Sequence, residues 1–227
     1  MGIWKAVTLF HVEYQSGDII GQCLAWCSLI PILSYVALAT LVIFRRDIYT
    51  IFFLFGALIN NFLNLLLKLF LKHARPNKPD GNVLSSYGMP SDHSQTIWFL
   101  FSFLSLFILL RLHHTKNDLS ELWRPLVLIV GFILSALVSF SRVYLYYHFT
   151  SQVVIGAIIG TITACLYFFI VERYFISLFP IISSSLIGEF FMLRDTTMIP
   201  NILYFEYITT RNEAKWRQRS QKHKKSM

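Results

Sequence analysis

Apolar residues run almost unbroken through positions 21–44, 48–67, 94–110, 125–141 and 149–171, and short polar intervals rich in Lys, Arg, His and Asp separate them. A bilayer core about 30 Å thick takes roughly 17–25 helical residues to cross. Only a helix satisfies its own backbone there. The pattern therefore predicts an all-α fold, a polytopic bundle of about five membrane spans with its chemistry in the loops. The second span carries Asn60, Asn61 and Asn64, costly against lipid, which are expected to hydrogen-bond between helices or else to line a polar cavity. Residues 175–191 are apolar too, but Pro180, the serines at 183–185, Gly188 and Glu189 interrupt them, and the stretch reads as an interfacial or re-entrant segment. Two regions follow: residues 1–171 as the membrane domain, and 172–227 as the interfacial segment and a basic tail.

Composition agrees with a lipid-embedded chain. Of 227 residues 55% are hydrophobic and only 14% charged, with a mean hydropathy of +0.55. The formal net charge of +8 is concentrated in the closing run RNEAKWRQRSQKHKKSM. That run reads as a solvated end held near anionic lipid head groups; no nucleic-acid partner is implied. Cys23, Cys27 and Cys165 all fall in apolar segments, so neither a disulfide framework nor a zinc site is indicated. The stretch before the first span carries His11, Glu13 and Asp18 where a cleavable signal would need apolar residues, so the first helix is expected to remain in the mature protein.

The loops alternate between two sides. One side receives fourteen basic residues: Arg45, Arg46, Arg111, Lys116, Arg124, Arg173 and the eight from Arg194 onward. The other receives six: Lys5, Lys68, Lys72, Arg75, Lys78 and Arg142. The positive-inside rule puts the richer side in the cytosol, with the C-terminus. The loops at 68–93 and 142–148 then face the lumen or exterior. The terminal KKSM resembles a dilysine retrieval signal for the endoplasmic reticulum, an address read only from the cytosol, and so agrees with that orientation.

The non-cytosolic loops hold a particular chemistry. In KLFLKHARP, Lys68 and Arg75 are seven residues apart, two helical turns, so both are expected on one face of a helix that Pro76 ends. In GMPSDHSQ, Pro90 and Ser91 read as a helix start with Ser91 as N-cap, and unpaired amides at such a start attract anions. His93 sits at that positive end. In SRVYLYYHFTSQ, Arg142 closes one span and His148 opens the next, with Gln152 four residues on, within reach of its ring. Singly each residue has a structural explanation: a snorkelling lysine, an end-of-helix arginine, a satisfied histidine. Together, three cations, two imidazoles and a helix N-terminus suit a phosphoryl group. Cations hold its oxygens, one neutral imidazole attacks phosphorus, and the other gives a proton to the leaving oxygen. No carboxylate cluster suited to magnesium accompanies them, so neither a metal nor another cofactor is expected.

Lys68 with Arg75-Pro76, then Pro90-Ser91-Asp92-His93, then Ser141-Arg142 with His148 resemble the three-part signature of the phosphatidic acid phosphatase type 2 superfamily of membrane phosphatases, related to vanadium haloperoxidases. The resemblance implies His148 as nucleophile forming a phosphohistidine and His93 as general acid. It also implies Lys68, Arg75, Ser91, the backbone around Asp92, and Arg142 as the phosphate cradle. Many members have six spans, and this chain reads as lacking one at its N-terminal end. Within the superfamily the chain looks most like the dolichyl diphosphatases, through HVEY and SGD before the first span, YGMPSDHSQ and SRVYLYYH in the loops, and EFFMLRDTTMIPN and FEY in the tail. The implied reaction converts dolichyl diphosphate to dolichyl phosphate and phosphate at the luminal face of the endoplasmic reticulum. It would recycle the lipid carrier of protein N-glycosylation and link the chain functionally to the oligosaccharide transfer machinery.

Two positions depart from the family pattern. Asp92 stands where Gly is usual, a carboxylate beside an anionic substrate; it is expected to turn away or pair with Lys72 or Lys78, leaving its amide for the phosphate. Gln152 stands where an Asp usually orients the nucleophile, and an uncharged amide can only fix the tautomer. Two alternatives remain open at this level. One is a phosphatase of another lipid phosphate or isoprenoid diphosphate; the other is a non-catalytic lipid-binding or transport protein.

Overall fold

The computed structural model describes residues 4–7, 12–77, 87–112 and 122–226, with the side chains of 4–7, Leu203 and 222–226 excepted. Lys78 as a partner for Asp92, Lys116 in the charge count, His11 of HVEY and the dilysine side chains lie outside the described residues. Among the described residues, five apolar helical stretches are long enough to cross a membrane: Ile19–Arg45, Ile48–Leu71, Asp92–Arg111, Trp123–Tyr144 and Thr150–Ser183. The five-span, all-α reading therefore holds, with longer ends than the hydropathy pattern gave. One element was not anticipated: an antiparallel hairpin of β1 (Trp4–Val7) and β2 (Val12–Gln15) precedes the first span, with Ala6 opposite Glu13 and Val7 opposite Val12.

Local chemistry sets the helix limits. The carboxylate of Asp18 accepts from the Gly21 amide (2.9 Å) and caps α1 (Ile19–Cys27). The first span is broken there, because Pro31 has no amide to continue the ladder and instead opens α2 (Ile30–Arg45). Asp47 caps α3 (Ile48–Leu71) by accepting from the Thr50 amide at 2.9 Å. Then come α4 (Asp92–Leu106), running on through a π turn at Phe107–Arg111, and α5 (Trp123–Tyr144). Beyond α6 (Thr150–Ile170) the helix does not stop at residue 171. It continues through a π turn (Val171–Phe175) and a 3-10 turn (Ile176–Leu178) into α7 (Phe179–Ser183), where Phe179 is fully buried. The first half of the interrupted 175–191 stretch thus extends the fifth span; α8 (Leu186–Phe190) follows with Leu186, Ile187 and Phe190 exposed. The basic tail forms α9 (Ile202–Ser226).

Packing in lipid gains little from the hydrophobic effect and depends on close contact and interhelical hydrogen bonds. The closest contact is between α4 and α6. A Cβ at Gly160 would collide with the Gln95 carbonyl, and one at Gly156 would sit 2.8 Å from the Ser91 carbonyl. This GAIIG spacing lets α6 press its backbone against the first turns of α4, which sets Ser91 and His93 relative to His148. From the other side, Gln95 donates to Asn60 Oδ1 (3.0 Å) and accepts from Asn64 (2.8 Å), so two of the three span asparagines tie α3 to α4. Deeper in the bundle, Tyr49, Phe99, Phe103, Phe168 and Phe179 fill an aromatic core, with Phe53 stacked on Phe103 at 4.4 Å. Val12, Ala25, Leu29, Leu145 and Tyr147 make a second, smaller core at the opposite end, where the hairpin meets the α5–α6 corner.

Candidate active site

Three chain segments meet at that hairpin end. The segment after α3 receives the Gly88 amide at the His73 carbonyl (2.8 Å), and the segment before α4 gives the Ser91 amide to the Gln152 carbonyl (3.1 Å). The α5–α6 corner folds back on itself, the amides of Tyr147 and His148 both donating to the Arg142 carbonyl at 3.0 and 3.1 Å. Main-chain bonds thus knit all three loops, so the side chains they carry are held relative to one another.

His148 is buried, and its Nδ1 lies 2.8 Å from the Gly88 carbonyl and 3.2 Å from Gln152 Oε1. A carbonyl can only accept, so Nδ1 carries the proton and Nε2 keeps its lone pair. Burial first, then the charges of Arg75 and Arg142, push the pKa of His148 down to about 3, leaving the ring neutral at ordinary pH. Burial likewise lowers Arg75, against the field of Asp92. Lys68, Arg75, Arg142 and His148 all act electrostatically on His93, so both imidazoles and all three cations share one site. Among the described residues, buried Arg142 has no partner for Nε and Nη1, and the buried Ser91 hydroxyl has none either. Ser91 occupies the N-cap position of α4 without capping it, so the first amides of α4 have no side-chain acceptor. Orphan donors of this kind, gathered beside cations, form a receptor for a tetrahedral oxyanion.

The structure thus brings together Lys68, Arg75, Ser91, Asp92, His93, Arg142, His148 and Gln152, but two expected arrangements differ. Lys72 takes the left-handed conformation (φ 44°) and ends α3 at Leu71, so Arg75 is not on the helix face of Lys68; it comes back to the site on the non-helical segment that follows. Asp92 makes no ion pair with Lys72 among the described residues. Its carboxylate is partly exposed and lies 3.9 Å from the neighbouring His93 Nδ1, in the shared field of the cations. Gln152 does reach the ring of His148, yet it does more: its Nε2 donates to the Ala74 carbonyl (2.7 Å) and to His73 Nδ1 (3.0 Å), and its Oε1 also accepts from the Phe149 amide (3.2 Å). Among the described residues no group of three or more His, Cys, Asp and Glu could hold a metal ion.

Sequence reasoning missed the Gly88 carbonyl, His73 and Ala74. A backbone acceptor leaves no trace in residue type, and His73 stood unused inside the KLFLKHARP stretch that was read for its cations.

With this geometry in place, comparison with known proteins is informative. The PAP2 superfamily profile matches residues 49–176, a range that contains all three loops. The chain is 46% identical over 220 residues to Dolichyldiphosphatase 1 of Rhinolophus ferrumequinum, covering 95% of this chain and 92% of the relative. It is 45% identical over 219 residues to the human Dolichyldiphosphatase 1, with the same coverages, and 31% identical over 221 residues to Dolichyldiphosphatase of Saccharomyces cerevisiae, covering 93% and 88%. Among solved structures, the first transmembrane PAP2 type phosphatidylglycerolphosphate phosphatase from Bacillus subtilis superposes with a TM-score of 0.57 at 20% identity, over 69% of this chain and 79% of that one. That likeness speaks for the fold alone.

Proposed function

The chain belongs to the PAP2 superfamily, in its dolichyldiphosphatase branch, and from that premise we propose that it hydrolyses dolichyl diphosphate to dolichyl phosphate and inorganic phosphate through a phosphohistidine on His148. The observation that carries this reading is the state of His148: buried, neutral, its Nδ1–H committed to the Gly88 carbonyl, and flanked by the charges of Arg75 and Arg142. Nε2 attacks the terminal phosphorus, the bond to the bridging oxygen breaks, and dolichyl phosphate departs. Lys68, Arg75, Arg142, the Ser91 hydroxyl and the first amides of α4 hold the equatorial oxygens as charge builds on them. The ring becomes cationic when the N–P bond forms, and two neutral acceptors, the Gly88 carbonyl and Gln152 Oε1, take the Nδ1 proton's bond. His93, protonated when the bound diphosphate offsets the cations around it, gives a proton to the bridging oxygen and then takes one from the water that cleaves the phosphohistidine, returning both imidazoles to their starting states.

The site faces the lumen of the endoplasmic reticulum in this reading, with α9 and the C-terminus in the cytosol. Its support is the distribution of Lys and Arg between the two sides and the placement of all site residues at one end of the bundle. Hydrolysis there would return the lipid carrier released by oligosaccharide transfer to protein. The test is phosphate release from dolichyl diphosphate by the detergent-solubilised full chain beside His148→Ala. Wild type should turn over and label on a histidine with radioactive terminal phosphate, and the variant should do neither; turnover surviving in His148→Ala would remove the mechanism.

A further inference from the structure

The segments HVEY and SGD before the first span have no part in the chemistry above, yet the structure attaches them to the catalytic corner at two points. The Glu13 amide, on the hairpin edge away from β1, donates to the Tyr147 hydroxyl at 2.9 Å. Asp18, which caps α1, accepts from the Tyr144 hydroxyl at 3.1 Å. Val12 packs with Tyr147 and Leu145 in the small core beneath. The ring of Tyr147 lies over the guanidinium of Arg142, with the central carbon 4.1 Å from the ring centroid. Arg142 is buried, and its Nε and Nη1 find no hydrogen-bond partner among the described residues. One face of the planar cation is therefore covered by an aromatic ring while two of its edge donors stay open.

We propose that Tyr147 is a positioning residue for Arg142, its ring fixing the plane of the guanidinium so that the open edge meets a phosphoryl group, with the Glu13 amide of the N-terminal hairpin as a secondary anchor of that ring, worth less than about threefold. The ligand class rests on the functional reading given above; the coupling of hairpin, ring and cation does not. A guanidinium donates only in its own plane, so the ring that sets the plane also sets where oxygens can be bound. Face contact to a desolvated cation supplies that restraint without consuming a single donor. A hydrogen-bonding partner such as a carboxylate would take the same edge the substrate needs. The hairpin gives the ring its second anchor, and it does so with an amide that the β1–β2 ladder does not use.

The experiment measures orthovanadate binding to the full chain in detergent, by its protection against thermal unfolding, alongside turnover of dolichyl diphosphate. Tyr147→Leu removes ring and hydroxyl and should weaken orthovanadate about tenfold or more and lower kcat by a similar factor. Tyr147→Phe keeps the ring and should stay within about threefold of wild type. Glu13→Pro removes the donated bond at an edge-strand position and should match Tyr147→Phe, with Glu13→Ala as the control for the side chain. In an Arg142→Ala background Tyr147→Leu should change neither quantity further, the non-additivity expected of two residues acting as one unit. Equal losses in Tyr147→Phe and Tyr147→Leu, or an undiminished effect of Tyr147→Leu without Arg142, would overturn the proposal. Should Tyr147→Leu fail to fold, Tyr147→Phe, Glu13→Pro and their combinations with Arg142→Ala carry the same decision: either variant falling well beyond threefold, or losing as much again without Arg142, would overturn it. A wild type that binds orthovanadate but leaves dolichyl diphosphate intact would sink the functional reading and leave this coupling standing.

Discussion

Three arginines at one end of the helix bundle stand beside carboxylates, whereas Arg142 at the other leaves buried N–H groups unpaired among the described residues. At the end away from the site, Arg45 pairs with Glu206 at 2.5 Å, Arg111 lies 3.5 Å from Glu172 and donates to the Thr197 carbonyl, and Arg194 donates to the Arg45 carbonyl while standing 3.9 Å from Glu206. The carboxylates there are equally occupied: Asp47 accepts from Thr50 and Thr196, and Glu172 accepts from Tyr49. At the site end the field of Asp92 reaches Lys68, Arg75 and Arg142, and among the described residues Arg142 leaves its buried Nε and Nη1 unpaired. A buried charge without a partner is expensive. Such an arrangement persists where a ligand of opposite charge supplies what the protein withholds. On the proposed function, the open donors of Arg142 are the ones left for an anion, while the paired arginines serve the fold.

That contrast is broken most directly by removing one arginine from each end. Arg142→Ala should lower kcat/KM for dolichyl diphosphate by about a hundred- to a thousandfold while leaving the thermal midpoint unchanged or higher, since an unpaired buried cation is lost. Arg111→Ala should keep activity within about twofold and lower the midpoint by a few degrees, the scale of about 1 kcal/mol for a partly exposed pair in a chain of this size. A midpoint loss in the first variant larger than in the second would show the cations of the site to be structural after all.

The two imidazoles sharpen the picture at the site end. A departing phosphate anion is far less basic than an alkoxide, so it asks less of a proton donor. His93→Ala should therefore cost about a hundredfold or more on a lipid monophosphate and about tenfold on a lipid diphosphate. Equal losses on the two substrates, measured as kcat/KM in the same detergent, would mean that His93 serves the site in some way other than protonating the leaving oxygen.

How much of this could be read from residues alone follows from what each signal depends on. Span number followed from runs of apolar side chains, and the convergence of Lys68, Arg75, His93, Arg142 and His148 followed from their spacing and resemblance, because both are written in side-chain type. The pairing of Trp4–Val7 with Val12–Gln15 was not legible: two four-residue strands leave too short an alternation to stand out. Nor was the end of α3, since nothing about Lys72 announces a left-handed residue. Gln152 illustrates the limit best. Against the family pattern it looked like an acid that had lost its charge, whereas in the fold its Nε2 faces two acceptors, the Ala74 carbonyl and His73 Nδ1. A carboxylate oxygen there would face the same two groups and repel the carbonyl. Gln152→Glu should accordingly lower kcat/KM about tenfold although it restores an acid beside His148, and Gln152→Asp should do no better, being one methylene too short to reach the Ala74 carbonyl. A gain of activity in either would show that charge at this position outweighs the tie between loops.

The smallest effect separates the ends by pH. His148 titrates near 6.5 in an unfolded chain, and in the folded site burial, with Arg75 and Arg142, holds it down to about 3. Between those values the unfolded chain binds a proton that the native site refuses, so the stability derived from a neutral His148 is complete above about pH 6.5 and is lost as pH falls toward 3. Acidification from pH 7 to 4.5 should therefore lower the thermal midpoint of the wild type more than that of His148→Asn. Groups remote from the site are common to both proteins and cancel in the difference. Saturating orthovanadate should shrink that difference, because a bound anion offsets the two arginines and lets the ring accept its proton at a higher pH. Parallel midpoint curves for the two proteins without the anion would mean that the cations of the site are screened in the native state, and the contrast between its two ends would lose its electrostatic basis.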